Sequence, residues 1–383
     1  MLLFDGPRTL IGAGRAVTVA EEVEAVACDR RRSPRVLLVT GAGFPGRPWS
    51  SGLLAALRPF RPRVCVQSGM PTPASVARLA RTLREHRAEV VVAVGGGSVM
   101  DAAKAAAALA TGPDVTPALV AQACENDVRG QGLPVVALPS TPGTGAETTP
   151  FATIWDVARG RKLSLRGDPV RPATAILDAD LLLGLPPEQL TGSMLDTLAQ
   201  GVEAAWSTRA DARAETLGAA AWAQLTELLD RPSHPPAAGD RQALLLAGHL
   251  SGRAIAIAGT TLCHALSYPL TLRYGLGHGH ACGVTLARVI RFNAEVEAED
   301  CADARGAGRV REAIAAVATA AGAGDAAALA GRVEAFLARA DLPRAPDLSR
   351  DAAWIAGQAL GYDRAGNNPR NLDVPTLIRL LTS

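Results

Sequence analysis

The sequence predicts an α/β domain built on a parallel sheet in residues 1–182, followed by an all-helical domain in residues 183–383. Three observations predict it. Short β-branched runs alternate with helical stretches as far as about residue 182. The strongest of these runs leads through three consecutive glycines into a helix. From about residue 183 onward the chain is rich in Ala, Leu, Glu and Arg at helical spacing, with few strand candidates. A length of 383 residues agrees, because a single core rarely serves so long a chain.

Residues 36–40 (Val-Leu-Leu-Val-Thr) form an unbroken apolar run, the pattern of a parallel strand covered on both faces. A glycine turn, Gly41-Ala42-Gly43, follows it. Residues 61–67 are a weaker strand, and residues 75–86 carry apolar side chains at helical spacing. Residues 89–94 (Glu-Val-Val-Val-Ala-Val) are the clearest strand in the chain. Residues 101–110 are an alanine-rich helix, and residues 134–139 are a further strand. This β-α-β order makes the first domain Rossmann-like, with ligands expected at the carboxyl ends of the strands. In the second half, prolines at 186–187, 231–236 and 342–343 mark breaks between helices. Residues 194–203 read as one of those helices.

The composition, 48% apolar and 20% charged, is that of a soluble globular enzyme. A formal charge of +2 with scattered basic residues argues against nucleic acid as a partner. The one N-terminal basic cluster, Arg30-Arg31-Arg32, reads as a solvated loop. Membrane-spanning runs without polar interruption are absent from the sequence, so no membrane partner is expected. The start, Met-Leu-Leu-Phe-Asp-Gly-Pro-Arg, lacks the basic and apolar regions of a signal peptide. The cysteines (28, 65, 124, 263, 282, 301) form no Cys-x-x-Cys pair and no disulfide framework. Both observations lead to the expectation of a cytoplasmic protein with reduced thiols. Arginine carries nearly all the positive charge, and Lys104 and Lys162 are the only lysines. A compact ammonium at those positions is a functional signal in a chain that otherwise uses guanidinium.

Two polar turns carry the cofactor signal. Gly95-Gly96-Gly97-Ser98 lies between a strand and a helix, where glycines admit close backbone approach and the helix N–H groups hold a phosphate. Residues 139–149 (Pro-Ser-Thr-Pro-Gly-Thr-Gly-Ala-Glu-Thr-Thr) follow the next strand and suit a pyrophosphate or ribose. A third signal is a metal signal. His264, His278 and His280 are three of the six histidines, and Asp196 and Gln200 lie one turn apart on the 194–203 helix.

The order Gly95-Gly96-Gly97-Ser98-x-x-Asp101-x-x-Lys104, then Pro139-x-Thr141-x-Gly143-Thr144-Gly145-x-Glu147, then the histidines resembles the iron-containing (group III) alcohol dehydrogenase family over essentially the whole length. Residues 149–156, 264–271 and 277–282 are similar to the branch of that family that reduces phosphonoacetaldehyde. The resemblance implies the dehydroquinate synthase-like two-domain architecture, and a homodimer or higher homo-oligomer. It implies NAD(P)H-dependent reduction of a small aldehyde to a primary alcohol, with phosphonoacetaldehyde to 2-hydroxyethylphosphonate in phosphonate biosynthesis as the leading case. The competing expectations are a general alcohol dehydrogenase on uncharged substrates, a lyase like dehydroquinate synthase, and a metal-free non-catalytic homologue.

The resemblance assigns cofactor contacts to Gly95, Gly96, Gly97, Ser98, Asp101, Ser140, Thr141, Thr144 and Lys162. Gly41 stands where the family often has an Asp that binds the adenosine ribose, so a 2′-phosphate meets no repulsion and NADPH is expected to serve at least as well as NADH. Asp196, Gln200, His264 and His278 occupy the positions of the metal ligands, for Fe(II) or Zn(II). Gln200 is a neutral donor in a ligand position, which leaves three options: a weak fourth ligand, three ligands completed by water, or no metal. Tyr268 and His280 are the two expected proton donors. Arg253, Arg273, Arg364 and Arg370 are the expected cationic partners of an anionic substrate.

Overall fold

Continuous apolar strands require cover on both faces, and the N-terminal half supplies it. The structure is a computed structural model that describes residues 6–27, 32–112, 114–231 and 236–382. The stretch read for a signal peptide (residues 1–5), Arg30 and Arg31 of the basic cluster, and residues 232–235 of the proline break lie outside the described residues. The chain divides into two units, one ending at Leu185 and the other beginning at Pro186.

The first unit contains β1 (Arg8–Ile11), α1 (Val19–Val26), β2 (Val36–Gly41), α2 (Ser50–Leu57), β3 (Arg63–Gln67), α3 (Pro73–Glu85), β4 (Val90–Gly95), α4 (Gly97–Leu109), α5 (Pro117–Ala123), β5 (Val135–Pro139), β6 (Phe151–Asp156), β7 (Arg161–Arg166) and β8 (Thr174–Leu177). Six of these strands form a parallel sheet in the order β1-β8-β5-β4-β2-β3. Val36, Leu38, Val90, Val92 and Val94 pack on one face with residues of α1 and α2. Leu37, Val39, Val91 and Ala93 pack on the other face with residues of α3 and α4. The alternation along each strand is therefore apolar on both sides, as the uninterrupted runs require.

β2 is followed in the chain by its neighbour on one side, β3, and β4 by its neighbour on the other side, β5. The chain therefore leaves the adjacent strands β2 and β4 in opposite directions, which opens a crevice at their carboxyl ends, Gly41 and Gly95. The helix expected from residue 101 begins four residues earlier, at Gly97, with Gly96 as its N-cap. Alanine enrichment marks the middle of that helix and says nothing of its glycine start. The antiparallel hairpin β6–β7 and the strands β1 and β8 were not expected from the sequence.

Lys104 ties this unit together. Its side chain is fully buried, and Nζ donates to Ala146 O (2.8 Å), Thr149 Oγ1 (2.9 Å) and Phe151 O (2.6 Å). It also faces Asp101 Oδ1 at 3.4 Å, while Asp101 Oδ2 accepts from Thr153 N at 2.8 Å. Burial pulls the Lys104 pKa down against the opposing pull of Asp101 and Glu147. One ammonium thus fastens α4 to the polar loop before β6 and to the hairpin.

The second unit is helical throughout its described residues: α6 (Pro187–Trp206), α7 (Ala212–Asp230), α8 (Ala238–Ala258), α9 (Leu262–Tyr274), α10 (His278–Ala294), α11 (Ala307–Ala320), α12 (Ala326–Arg339), α13 (Ala352–Leu360) and α14 (Val374–Thr382). α6 is central, packed against α7, α8 and α10. It crosses α7 at Gly201 and Gly218, where a Cβ on Gly218 would come within 2.2 Å of Gly201 O. Among the described residues no single helix is long and apolar enough to cross a membrane.

Replacing Lys104 by Met keeps the volume of the side chain but strands two buried carbonyls and the Asp101 carboxylate. Lys104→Met is expected to lower the unfolding free energy by about 3 kcal/mol or more. Urea denaturation followed by tryptophan fluorescence measures this, and an unchanged midpoint would show that the ammonium is not a structural tie.

Candidate active site

The glycine turn follows β4 at the crevice, and the second polar turn follows β5, the neighbour of β4 on its other side. A Cβ on Gly95 would come within 2.7 Å of the Val99 side chain, and one on Gly97 within 2.6 Å of Thr144 Cγ2. At Gly96 the neighbour is Thr141, at 3.1 Å. The glycines are therefore demanded by packing, and the two turns touch each other. Ser140 N donates to Gly95 O at 2.9 Å, which fixes the second turn to the first. Ser98 is exposed in the first turn of α4, where the helix dipole and N–H groups favour a phosphate. Gly41 differs from these glycines. A Cβ there would meet only Val99 Cγ2, at an ordinary 3.6 Å, so the position has room for a side chain. Asp101 is bonded to the hairpin and to Lys104, and Lys162 on β7 lies close enough for its charge to act on Asp101. These two residues sit on the hairpin side of the turn.

The second unit gathers a different set of groups. Asp196, Gln200 and Glu203 lie at i, i+4 and i+7 on α6 and are all buried. His264 stands at the start of α9, and His278 opens α10 behind the N-cap Gly277. Asp196 Oδ1 lies 3.3 Å from His264 Nε2 and 3.8 Å from His278 Nε2. The two rings meet edge to face, with centroids 5.2 Å apart. Cys282, one turn beyond His278 on α10, brings its sulfur into the same group. One ligand atom from each of Asp196, His264, His278 and Cys282 lies within 4.8 Å of the others.

Neighbouring groups set the tautomer of each imidazole. Glu203 Oε2 bonds His264 Nδ1, so Nε2 is left facing Asp196. Ser267 donates its hydroxyl to His264 O at 2.8 Å and lies 3.3 Å from His278 Nδ1. With its proton committed, Ser267 accepts from His278 Nδ1–H, and His278 Nε2 also faces Asp196. Glu203 Oε1 further accepts from Cys263 N (2.6 Å) and Thr261 Oγ1 (2.9 Å), satisfying the start of α9. Burial opposes charge on His264, but Cys282, Glu203 and Asp196 outweigh it and hold its pKa well above the usual imidazole range. Burial likewise opposes charge on Asp196, yet His278 and His264 hold its pKa low. Asp196 Oδ1 is nonetheless buried with no hydrogen bond of its own. A buried carboxylate oxygen without a hydrogen bond, facing a nitrogen of each of two imidazoles, fits a divalent metal.

The convergence depends on Gly279. A Cβ there would lie 1.9 Å from Gly192 O and 3.0 Å from Asp196 Cβ. One turn on, a Cβ at Gly283 would lie 2.8 Å from Leu195. Only glycine lets α10 come this close to α6.

The other expected residues divide. Tyr268 is buried and stacked on His278 (6.0 Å, 5° between rings), with Tyr362 edge-on at 4.8 Å. Burial pushes its phenol pKa up, against the pull of Arg364, so it holds its proton. Arg364 donates to Thr260 Oγ1 at 2.8 Å, next to the start of α9. His280 is not brought to the cluster. Two residues past His278, it points around the helix and lines a separate cavity with Val284, Arg288 and Arg344. Arg273 is bound to Asp351 at 2.9 Å, and Arg370 to Asp300 at 2.5 Å and Phe292 O at 2.6 Å, so neither reaches the cluster. Arg253 is part-buried on α8, where burial lowers its pKa. The Gln200 side-chain oxygen is directed to Ser251. Cys282 was not expected as a ligand, because no second cysteine pairs with it at Cys-x-x-Cys spacing. The signal was present in His278-x-x-x-Cys282, which has the same one-turn spacing as Asp196 and Gln200.

A family model of iron-containing alcohol dehydrogenases matches residues 7–179, and one of the C-terminal part of the Fe-containing alcohol dehydrogenase family matches residues 191–383. The phosphonoacetaldehyde reductase of Streptomyces viridochromogenes is 51% identical over 356 residues, covering 92% of this chain and 90% of that protein. The probable alcohol dehydrogenase EutG of Escherichia coli is 36% identical over 228 residues, 59% of this chain and 56% of its own. Among solved structures, the sulfoacetaldehyde reductase from Bifidobacterium kashiwanohense in complex with NAD+ superposes with a TM-score of 0.82 at 25% identity, over 100% of this chain and 99% of that one.

Gly279→Ala is expected to force α10 away from α6, at a cost of about 1–3 kcal/mol in stability. The same shift separates His278 and Cys282 from Asp196 and should weaken metal binding about tenfold or more. Calorimetry and metal titration of the purified variant measure the two effects, and wild-type metal affinity in this variant would refute the close-approach argument.

Proposed function

The chain belongs to the iron-containing alcohol dehydrogenase family, and from that premise we propose that its substrate is phosphonoacetaldehyde, reduced to 2-hydroxyethylphosphonate as a step of phosphonate biosynthesis. The protein is an oxidoreductase that reduces an aldehyde with a nicotinamide dinucleotide and a divalent metal. The observation that carries the proposed substrate is the 51% identity to a phosphonoacetaldehyde reductase over 92% of the chain. The family membership also supports a cytoplasmic homodimer or larger homo-oligomer as the working form.

The residues give each part of this reaction a place. The glycine turn and the Ser140–Thr144 loop hold the pyrophosphate side of the dinucleotide. Asp196, His264, His278 and Cys282 are positioned to hold the metal, which when bound supplies a Lewis acid for the carbonyl oxygen. Hydride adds to the carbonyl carbon, and the oxygen then needs one proton. Tyr268, stacked on His278 and kept protonated by burial, is placed to donate it. A phosphonate head group needs a cation, and Arg364 is the arginine whose charge reaches Tyr268.

Steady-state rates with phosphonoacetaldehyde and with acetaldehyde test the substrate. Arg364→Ala is expected to lower kcat/KM for phosphonoacetaldehyde by about 10- to 100-fold, the worth of one charge-assisted contact. The value for acetaldehyde should change little. Equal wild-type rates on the two aldehydes would sink the phosphonate proposal.

The room at Gly41 gives a second test. NADPH is expected to serve at least as well as NADH in the wild type. Gly41→Asp introduces a carboxylate that accepts the ribose hydroxyls and repels a 2′-phosphate. The ratio of kcat/KM for NADPH over NADH should fall by about tenfold or more, the scale of one close charge pair. A ratio unchanged by the substitution would show that Gly41 lies away from the adenosine ribose.

A further inference from the structure

Gln200 stands in a ligand position by sequence, but its side-chain oxygen is otherwise engaged. Oε1 accepts the Ser251 hydroxyl at 2.9 Å, and the side chain lies one turn from Asp196 on the same buried stretch of α6. A carboxylate fixes the orientation of a neighbouring carboxamide, because N–H is attracted to it and C=O is repelled. The oxygen that would bind a metal is therefore turned toward α8. Two cysteines are fully buried nearby, and they behave differently. Cys263 lies beside Glu203, outside the convergent set, whereas the Cys282 sulfur lies within it. The second observation is Asp196 Oδ1, which is buried, makes no hydrogen bond and is aimed into the same group.

We propose that Cys282 binds the metal as a thiolate beside Asp196, His264 and His278, and that Gln200 is a positioning residue that holds the Asp196 carboxylate. The thiol gives its proton to solvent as the metal enters, so the carboxylate and the thiolate together balance the charge of a dication. A thiolate also selects borderline and soft ions such as zinc and cobalt over hard ones such as magnesium. The proposal deepens the metal-dependent reading of this site. It does not depend on which aldehyde is reduced, so a wrong substrate and a wrong ligand set fail in separate experiments.

The test uses the full chain, stripped with a chelator and reloaded with Co(II) or Zn(II). The wild-type cobalt protein should show a near-ultraviolet thiolate-to-cobalt charge-transfer band. Cys282→Ser should lose that band, and Gln200→Ala should keep it while binding cobalt about 10- to 100-fold more weakly. Zinc-edge absorption of the wild type should show one sulfur neighbour at about 2.3 Å. That measurement decides the matter even if Cys282→Ser fails to fold. A wild-type cobalt protein without the band, or a zinc shell of nitrogen and oxygen alone, overturns the proposal.

Discussion

The closeness of α10 to α6 is the constraint on which the second unit depends. Packed helices ordinarily keep their axes 8–10 Å apart because side chains fill the space between them. Gly279 removes the side chain at the contact, so that a Cβ there would overlap the Gly192 carbonyl. His278 and Cys282 flank that contact on α10, and Asp196 lies one turn beyond Gly192 on α6. The third helix is fixed by a different device. Glu203 accepts the Cys263 N–H at the start of α9 and bonds the His264 ring with its other oxygen. A single carboxylate thus caps a helix and aims an imidazole, and the local structure and the site share one set of bonds.

The two units solve the problem of buried charge in different ways. In the first, Lys104 meets three oxygen acceptors and the Asp101 carboxylate, so the protein itself satisfies the ammonium. In the second, two buried carboxylates, Asp196 and Glu203, flank one imidazole, His264. Protonation of His264 neutralises only one of them. Asp196 keeps one oxygen without a donor, and desolvation makes such a group expensive. A divalent cation at that point would give the Asp196 oxygen the partner it lacks, whereas the Lys104 cluster is satisfied by the protein alone.

The central sheet was legible because burial on both faces imposes unbroken apolar runs such as residues 36–40 and 89–94. The hairpin was not. Its strand β7 carries Arg161, Lys162 and Arg166, and a strand that buries one face among charges has the composition of a loop. Edge strand β1 is only four residues long. In the site, the clustering of histidines was visible in the sequence, and the family resemblance assigned Asp196, His264 and His278 to the metal. His280 misled because proximity in sequence is not proximity around a helix, where two residues turn the side chain to the far side. Arg273 and Arg370 misled because their partners, Asp351 and Asp300, lie about 70 residues or more away in the chain, beyond any local pattern. Gln200 is odd in the sequence as a neutral residue in a ligand position, but its partner Ser251 sits on another helix and leaves no local trace.

The proposed ligand set bears on how the proposed phosphonate substrate would be oriented. A phosphonate oxygen competes with a carbonyl oxygen for any cation, and it wins at a centre with uncompensated positive charge because it carries formal charge itself. Two anionic ligands, Asp196 and a Cys282 thiolate, bring the centre close to neutral and weaken that competition. The head group then needs a cation elsewhere, and Arg364, held by Thr260 beside the start of α9, offers one whose charge reaches Tyr268. Tyr268 stacks on His278, with Tyr362 edge-on against it, so an aromatic cluster stands beside the metal ligands. The departures at Gln200 and Cys282 therefore concern more than metal retention. With the proposed ligand set and the proposed substrate, the lowered charge of the centre would leave the carbonyl at the metal and the phosphonate at the arginine.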